Sequence, residues 1–481
     1  MSSPGLRTAS EVRESLDSGT SSAAQLTSDC LERIARLNPD YNAVIAVDEG
    51  GAVAAARASD RRRAAGRSLG PLDGVCVLIK DNIEAVGLPG TAGSRALLRS
   101  APISDAPVVQ RLRNAGLVVL GSTNLSEWAN FRSTASTSGW SAVGGQTRNP
   151  YDVERNTSGS SSGSAVAAAL GLAPLTVGTE TDGSIVSPAG CCGVVGFKPT
   201  RGRVPGSQIV PISSRQDVAG PITRTVADAA ALYSVLCGDT ASRSVGRPLT
   251  DDQRIDLRGL TVSVWRPEIP DAAISSRLSE ILETAAGLLE AAGCRLIDAS
   301  PVAPAGPFHS AEFEALVAEF AVELPAYLAH RPGNHPRTWA ELLAFNRADG
   351  LELSPFSDEI FALAAAAPAL DSDQYRTARG RADAEAAAAL EGILSGADLA
   401  ITLTNPPAWP IAYGQAEDDH LPTSSPAAVT GAPSLSLPGG YLNGLPIGIT
   451  VFGRPGQDSM VLSFAGSLEA LLPARIDPLV S

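Results

Sequence analysis

The chain has 481 residues, 44% of them apolar and 18% charged, with a formal net charge of −14. Such a composition can build a sizeable core and excludes a disordered chain. Acidic residues are scattered and no basic face is visible, which excludes a nucleic-acid or anionic-membrane partner.

The amino-terminal stretch lacks an apolar h-region, so no secretory signal is read and a cytoplasmic location is expected. No apolar run is long and uninterrupted enough to span a bilayer. Residues 8–37 read as two helices, with Thr8-Ala9-Ser10-Glu11 resembling a capping box and Asp17-Ser18-Gly19 a stop. Residues 52–66 add a third, so 8–66 form an N-terminal helical segment. A turn at Pro71 and Gly74 precedes a short apolar strand at 75–79, which delivers Lys80 at its end. A helix at 106–115 and a strand at 117–120 begin an alternation of α and β.

Residues 122–220 are dense in Gly, Ser, Thr and Pro, yet hold a helix at 164–172 and strands at 175–177 and 193–197. A Gly/Ser-rich zone inside ordered elements points to tight backbone turns around a site. A helix at 225–237, a strand at 261–265, a helix at 275–292 and a strand at 295–297 follow. Ala-rich helical sequence fills 311–395, and the chain ends with strands at 399–403, 434–437 and 447–452 and a helix from 460. With no repeat and no clean linker, residues 1–481 read as one α/β domain: a mixed twisted sheet covered by helices on both faces. Residues 70–235 form its core, and 300–395 a helical lobe covering the substrate side.

Only two of the 37 basic residues are lysines, Lys80 and Lys198. An amine can shed its proton when desolvated and a guanidinium cannot, which singles out Lys80 as a candidate base. Gly159-Ser160-Ser161-Ser162-Gly163 matches a nucleophile elbow centred on Ser161, but no core strand precedes it. The four histidines (His309, His330, His335, His420) sit in no informative setting. A Ser-x-x-Lys arrangement fails, because Val77 and Val195 stand three residues before the lysines. The six cysteines show no metal-ligand spacing and read as free thiols; neither a metal nor a cofactor is expected.

Five segments together resemble the amidase-signature family: Ile79-Lys-Asp-Asn-Ile83, Ser158-Gly-Ser-Ser-Ser-Gly-Ser164, Gly178-Thr-Glu-Thr-Asp-Gly-Ser-Ile185, Val195-Gly-Phe-Lys-Pro-Thr200 and Gly220-Pro-Ile-Thr-Arg-Thr-Val-Ala-Asp228. Asn124-Leu-Ser-Glu-Trp-Ala-Asn-Phe131 and Gly145-Gln-Thr-Arg-Asn-Pro-Tyr151 are most similar to the wording of bacterial peptide amidases, which release ammonia from C-terminal carboxamides. The resemblance implies a single amidase-signature domain with Ser184 as nucleophile, Ser160 as bridging serine after a cis Gly159–Ser160 bond, and Lys80 as base. Neutral Lys80 would take a proton from Ser160, which takes one from Ser184 as it attacks the carbonyl. The backbone N–H groups of Thr181, Asp182, Gly183 and Ser184 would form the oxyanion hole.

Ser161, Asn130, Trp128, Phe131 and Trp409 are candidate substrate-binding residues. Lys198 reads as an ion-pair partner, and Asp217 and Arg224 as loop braces. The expected partner is a small-molecule or peptide amide, and oligomeric state carries no sequence signal. Alternatives are hydrolysis of a non-peptide amide (aryl, lactam or specialised-metabolite), a non-enzymatic relative, an α/β-hydrolase esterase and an amidotransferase A-type subunit. The family's usual Asp and Gly in the nucleophile loop appear here as Glu180 and Asp182, and Val186 replaces a common Arg.

Overall fold

Residues 7–238, 255–269, 271–299, 306–417 and 421–479 are described by a computed structural model. Thirteen strands occur among them: β1 (Val44–Val47), β2 (Cys76–Lys80), β3 (Val118–Thr123), β4 (Trp140–Ser141), β5 (Gly145–Gln146), β6 (Leu175–Glu180), β7 (Val195–Lys198), β8 (Val218–Thr223), β9 (Thr261–Val264), β10 (Arg295–Asp298), β11 (Leu399–Leu403), β12 (Ser434–Leu442) and β13 (Leu445–Phe452). Eleven form one sheet in the order β1-β3-β2-β6-β8-β7-β12-β13-β11-β9-β10, while β4 and β5 make a separate ribbon. The sheet is mixed, as expected. β3, β2 and β6 run parallel, as do β11, β9 and β10, and the strands between them are antiparallel.

Strands β2, β3, β6, β7, β8 and β13 are buried along their whole length, and burial on both faces is why β2, β3 and β13 read as continuous apolar runs rather than alternating ones. The helix Ser162–Ala169 is buried at every position and packs against β2, β3, β6 and β8. Its small residues allow this close approach to the sheet. The N-terminal helices Ala9–Asp17 and Ala23–Tyr41 start where their caps predict, and Thr8 and Glu11 form the reciprocal capping box.

Among the elements that escape a reading of local pattern are β8 and the helix Val186–Cys191. β8 contains Gly220 and Pro221, which argue against a central strand because proline cannot donate to the ladder. Both neighbours nevertheless pair with it, and a Cβ on Gly220 would meet the Phe197 carbonyl at 2.2 Å, so only glycine admits this approach. The six-residue helix Val186–Cys191 is too short to announce itself and carries Pro188.

The helices Gly306–His330, Trp339–Ala348, Glu359–Ala365 and Asp373–Leu394 make up the expected helical region. A second apolar cluster joins them to the preceding loops through Trp128, Phe131, Ile212, Phe320, Leu324, Leu342 and Phe361.

Candidate active site

β2 ends in Lys80, and its neighbour β6 ends in Thr179 and Glu180. The Lys80 side chain is fully buried and meets three oxygens: Ser160 Oγ at 2.7 Å, Thr179 Oγ1 at 2.9 Å and the Thr179 carbonyl at 3.2 Å. Asn82, two residues on, donates from Nδ2 to the same Thr179 hydroxyl at 3.0 Å. No carboxylate among the described residues lies within ion-pair distance of Lys80. Burial pushes the Lys80 amine down to about 7, against the opposing charges of Asp217 and Glu180.

Ser160 is fully buried, its carbonyl accepts from Ser126 N at 3.1 Å, and the Gly159–Ser160 peptide is cis, as the resemblance implies. A Cβ on Gly159 would sit 2.1 Å from Ser126 Oγ, which explains the glycine. The loop that carries Ser184 runs from the end of β6 to the helix Val186–Cys191. Glu180 spans it: one carboxylate oxygen accepts from Ile185 N (2.7 Å) and Val186 N (3.0 Å), pinning both ends of the loop together. Asp217 holds the loop from outside, accepting from Thr181 Oγ1 at 2.6 Å and from the Ile212 and Ser213 amides. Ser424 donates to Asp182 Oδ1 at 2.5 Å.

Within this loop Ser184 is 8% exposed, whereas Lys80 and Ser160 are at 0%. Of the three, only Ser184 can be approached from solvent. Its carbonyl accepts from Ser161 N at 3.1 Å, which ties the Ser184 loop to the serine-rich turn. The N–H groups of Thr181, Gly183 and Ser184 meet no acceptor among the described residues. Burial pushes Asp217 up to about 7 and also raises Glu180 above the ordinary carboxyl value.

Other expected residues fall elsewhere. Ser161 is not placed to meet substrate: it is fully buried, and its hydroxyl donates to the Thr179 carbonyl (2.9 Å) and accepts from Thr179 N (3.1 Å). It supports the residue that contacts Lys80. Trp128 and Phe131 are core rather than pocket wall, Trp128 packing edge-on against Phe361 at 5.6 Å and Phe131 against Phe320 at 5.1 Å. Asn130 is half-buried and donates to Ser138 Oγ at 2.8 Å. Trp409 packs with Cys191 and Ala408 and lines a cleft of about 780 Å³ to which none of Lys80, Ser160 and Ser184 contributes. Lys198 forms no ion pair among the described residues; its amine donates to the Ala432 carbonyl at 2.5 Å. Asp217 braces a loop as expected, and Arg224 reaches Asp477 at 3.1 Å.

Thr179, Asn82 and Glu180 lie inside the quoted motifs, but their contacts depend on the pairing of β2 with β6, which no local spacing reveals. A cleft of about 510 Å³ adjoins them, lined by Asn82, Thr179, Thr181, Asp217, Ala129 and the apolar run 209–212.

A mixed sheet carrying a buried lysine, a serine-rich turn and a braced serine loop is the architecture of one family: the chain belongs to the Amidase family, whose pattern matches residues 25–462. It is an amide-hydrolysing enzyme. Among solved structures it is similar to the native peptide amidase from Stenotrophomonas maltophilia, at 38% identity and a TM-score of 0.90, covering 98% of each chain. A peptide amidase in complex with the competitive inhibitor chymostatin matches at 39% and 0.90, over 98% of this chain and 99% of that one. Among curated relatives, the A-type component of the glutamyl-tRNA(Gln) amidotransferase of Acidothermus cellulolyticus is 34% identical over 98% of this chain and 95% of its own. A probable amidase of Arabidopsis thaliana is also 34% identical, over 98% of this chain and 91% of its own.

Proposed function

We propose that the chain hydrolyses C-terminal carboxamides of peptides through an acyl-enzyme on Ser184, with Ser160 as proton bridge and Lys80 as base. The observation that carries this reading is the set of oxygens around Lys80 Nζ. A neutral amine has two N–H groups and one lone pair. The two Thr179 oxygens take the hydrogens, leaving the lone pair for the Ser160 hydroxyl 2.7 Å away. Ser160 can then accept the proton of Ser184 as that oxygen attacks the carbonyl. Reversal of the relay protonates departing ammonia, and water repeats the cycle on the acyl-enzyme. The N–H groups of Thr181, Gly183 and Ser184, with that of Asp182, are the proposed oxyanion donors; one such donor is worth about 3–4 kcal/mol.

The peptide-amide preference is supported by the similarity to the Stenotrophomonas enzyme over nearly the whole chain. An amidotransferase role is favoured by the relatives from glutamyl-tRNA(Gln) amidotransferases, and under that reading a partner chain would receive the ammonia. The test is ammonia release from a panel of C-terminally amidated peptides by the isolated chain, its Ser184→Ala variant and its Lys80→Ala variant. Release by wild type that both substitutions abolish is expected. Equal release by all three would overturn the mechanism, and silence on every peptide would overturn the substrate assignment.

A further inference from the structure

Ammonia is a small leaving group, and the space beside the proposed relay is far larger than ammonia needs. The cleft of about 510 Å³ described above is lined by Thr179 and Thr181, which flank Glu180 at the end of β6. Alternation along an extended chain sends residues two apart to the same face. Thr179 meets Lys80 on that face, while Glu180 turns away to the Ile185 and Val186 amides. The cleft therefore lies on the lysine side of the Ser184 loop. A water-sized molecule takes about 30 Å³, so ammonia would leave most of this volume empty.

The lining says what would fill it. Val204, Ile209, Val210, Ile212, Val218 and Ala219 supply an apolar wall, and all six are buried. Asn82 also lines the cleft and is only 3% exposed. Its Nδ2 is fixed on the Thr179 hydroxyl at 3.0 Å, while its Oδ1 is buried with no partner among the described residues. A buried acceptor left unpaired is costly, and an amine N–H is a group that satisfies it. The charged residues on the cleft are two acids, Asp217 and Glu323, against Arg201, which suits an amine that departs as a cation.

We infer that this cleft is the leaving-group subsite, and that the enzyme also hydrolyses secondary amides whose amine carries an apolar alkyl or arylalkyl group. The inference rests on the relay proposed above. Ser160 hands a proton to the leaving nitrogen, so the substituent on that nitrogen lies on the side of Ser160 and Lys80, where the cleft opens. Ser184 Oγ bonds to the carbonyl carbon and passes its proton to Ser160. The C–N bond then breaks, its electron pair stays on nitrogen, and the nitrogen takes a proton back from Ser160 and leaves as the amine. Water cleaves the acyl-enzyme, so one amide and one water give one carboxylic acid and one amine.

The full chain is given two substrates that share one acyl group, an N-blocked dipeptide as its primary amide and as its 2-phenylethylamide. This amine is chosen over aniline because its basicity is close to that of ammonia, so the comparison reads space rather than leaving-group ability. Release of 2-phenylethylamine, followed by chromatography, is expected with kcat/KM within about tenfold of that for ammonia release. Gly206 lines the cleft at an exposed position where an added Cβ meets nothing within 4 Å. Gly206→Trp should shift the ratio of the two rates against the phenylethylamide by at least about tenfold. An unshifted ratio, with equal loss on both substrates, would overturn the assignment, because an acyl group seated in the cleft gives that pattern. Ammonia release without any 2-phenylethylamine would overturn the inference and leave the proposed carboxamide hydrolysis standing, whereas silence on both substrates would overturn both. The wild-type comparison needs no variant, so a misfolded Gly206→Trp leaves the test intact.

Discussion

A lysine amine keeps its proton at neutral pH only while water or a counter-ion stabilises the charge, and Lys80 has neither close by. Burial draws it down to about 7, and only its neutral form can act as base. The rate kcat/KM should therefore rise through about pH 7 and level off above it. Lys80→Ala should lose the rising limb together with about 10²–10⁴-fold in kcat, the usual range for a positioned general base. Asp217 adds a signed check. Its negative charge favours protonated Lys80, so Asp217→Asn, which keeps an acceptor for Thr181, should move the limb to lower pH. A limb unmoved, or moved upward, would remove Asp217 from the electrostatics of the base. Lys80 stands out as the candidate base in the sequence because arginine fills nearly every other cationic position. Its partner Thr179 is not, since that contact requires two strands to lie in register.

At the scale of elements, the segment carrying Trp128 to Phe131 depends on a buried charge cluster. Trp128, Ala129 and Asn130 all take positive φ, between 50° and 70°, a conformation that non-glycine residues hold only when their surroundings impose it. Fully buried Arg132 supplies the constraint. It pairs with Glu127 at 2.6 Å and with Glu352 at 3.4 Å, donates to the Glu352 and Phe356 carbonyls, and lies 4.2 Å over the Phe356 ring. Burial, then the Glu352 charge, push the Glu127 carboxyl well up. Replacing Arg132 by Met would leave Glu352 buried beside Glu127 without a cation. Urea denaturation should report a loss of about 3–5 kcal/mol, the range for breaking a buried pair; a change below about 1 kcal/mol would show that the segment holds its shape unaided. None of this is legible in the sequence. The aromatic run 128–131 looks alike whether it lines a pocket or fills a core, and only the placement of Phe320 and Phe361 from a distant helical region decides for the core.

Over the whole molecule, the order of elements is the most legible feature. Continuous apolar runs mark β2, β3, β11 and β13, and caps mark the helices, because those signals are local. β8 is hidden by Gly220 and Pro221, which the sheet tolerates through close backbone packing. Buried ionisable groups also give the molecule an unusual pH response. Asp228 and Asp217 titrate at about 6 and about 7 when folded, above the ordinary carboxyl value, so the folded state binds more protons than the unfolded and stability falls as pH rises through that window. Lys80 and Lys198 titrate at about 7 and about 8, below the ordinary amine value, so from there upward the unfolded state binds more protons and stability recovers. Between about pH 5 and 9 the urea midpoint should therefore pass through a minimum near 7–8. A maximum there would mean that these groups do not keep their buried environments in solution.

The central claim is that Ser184, reached from solvent and activated through Ser160 by Lys80, is the nucleophile. Labelling with a fluorophosphonate, followed by peptide mapping, tests it without requiring the natural substrate. The account predicts label on Ser184 in wild type, retained at Ser184 in Ser161→Ala and slowed at least about 100-fold in Lys80→Ala and Ser160→Ala. Label on Ser160 or Ser161, or an unchanged rate at Ser184 without Lys80, would contradict it.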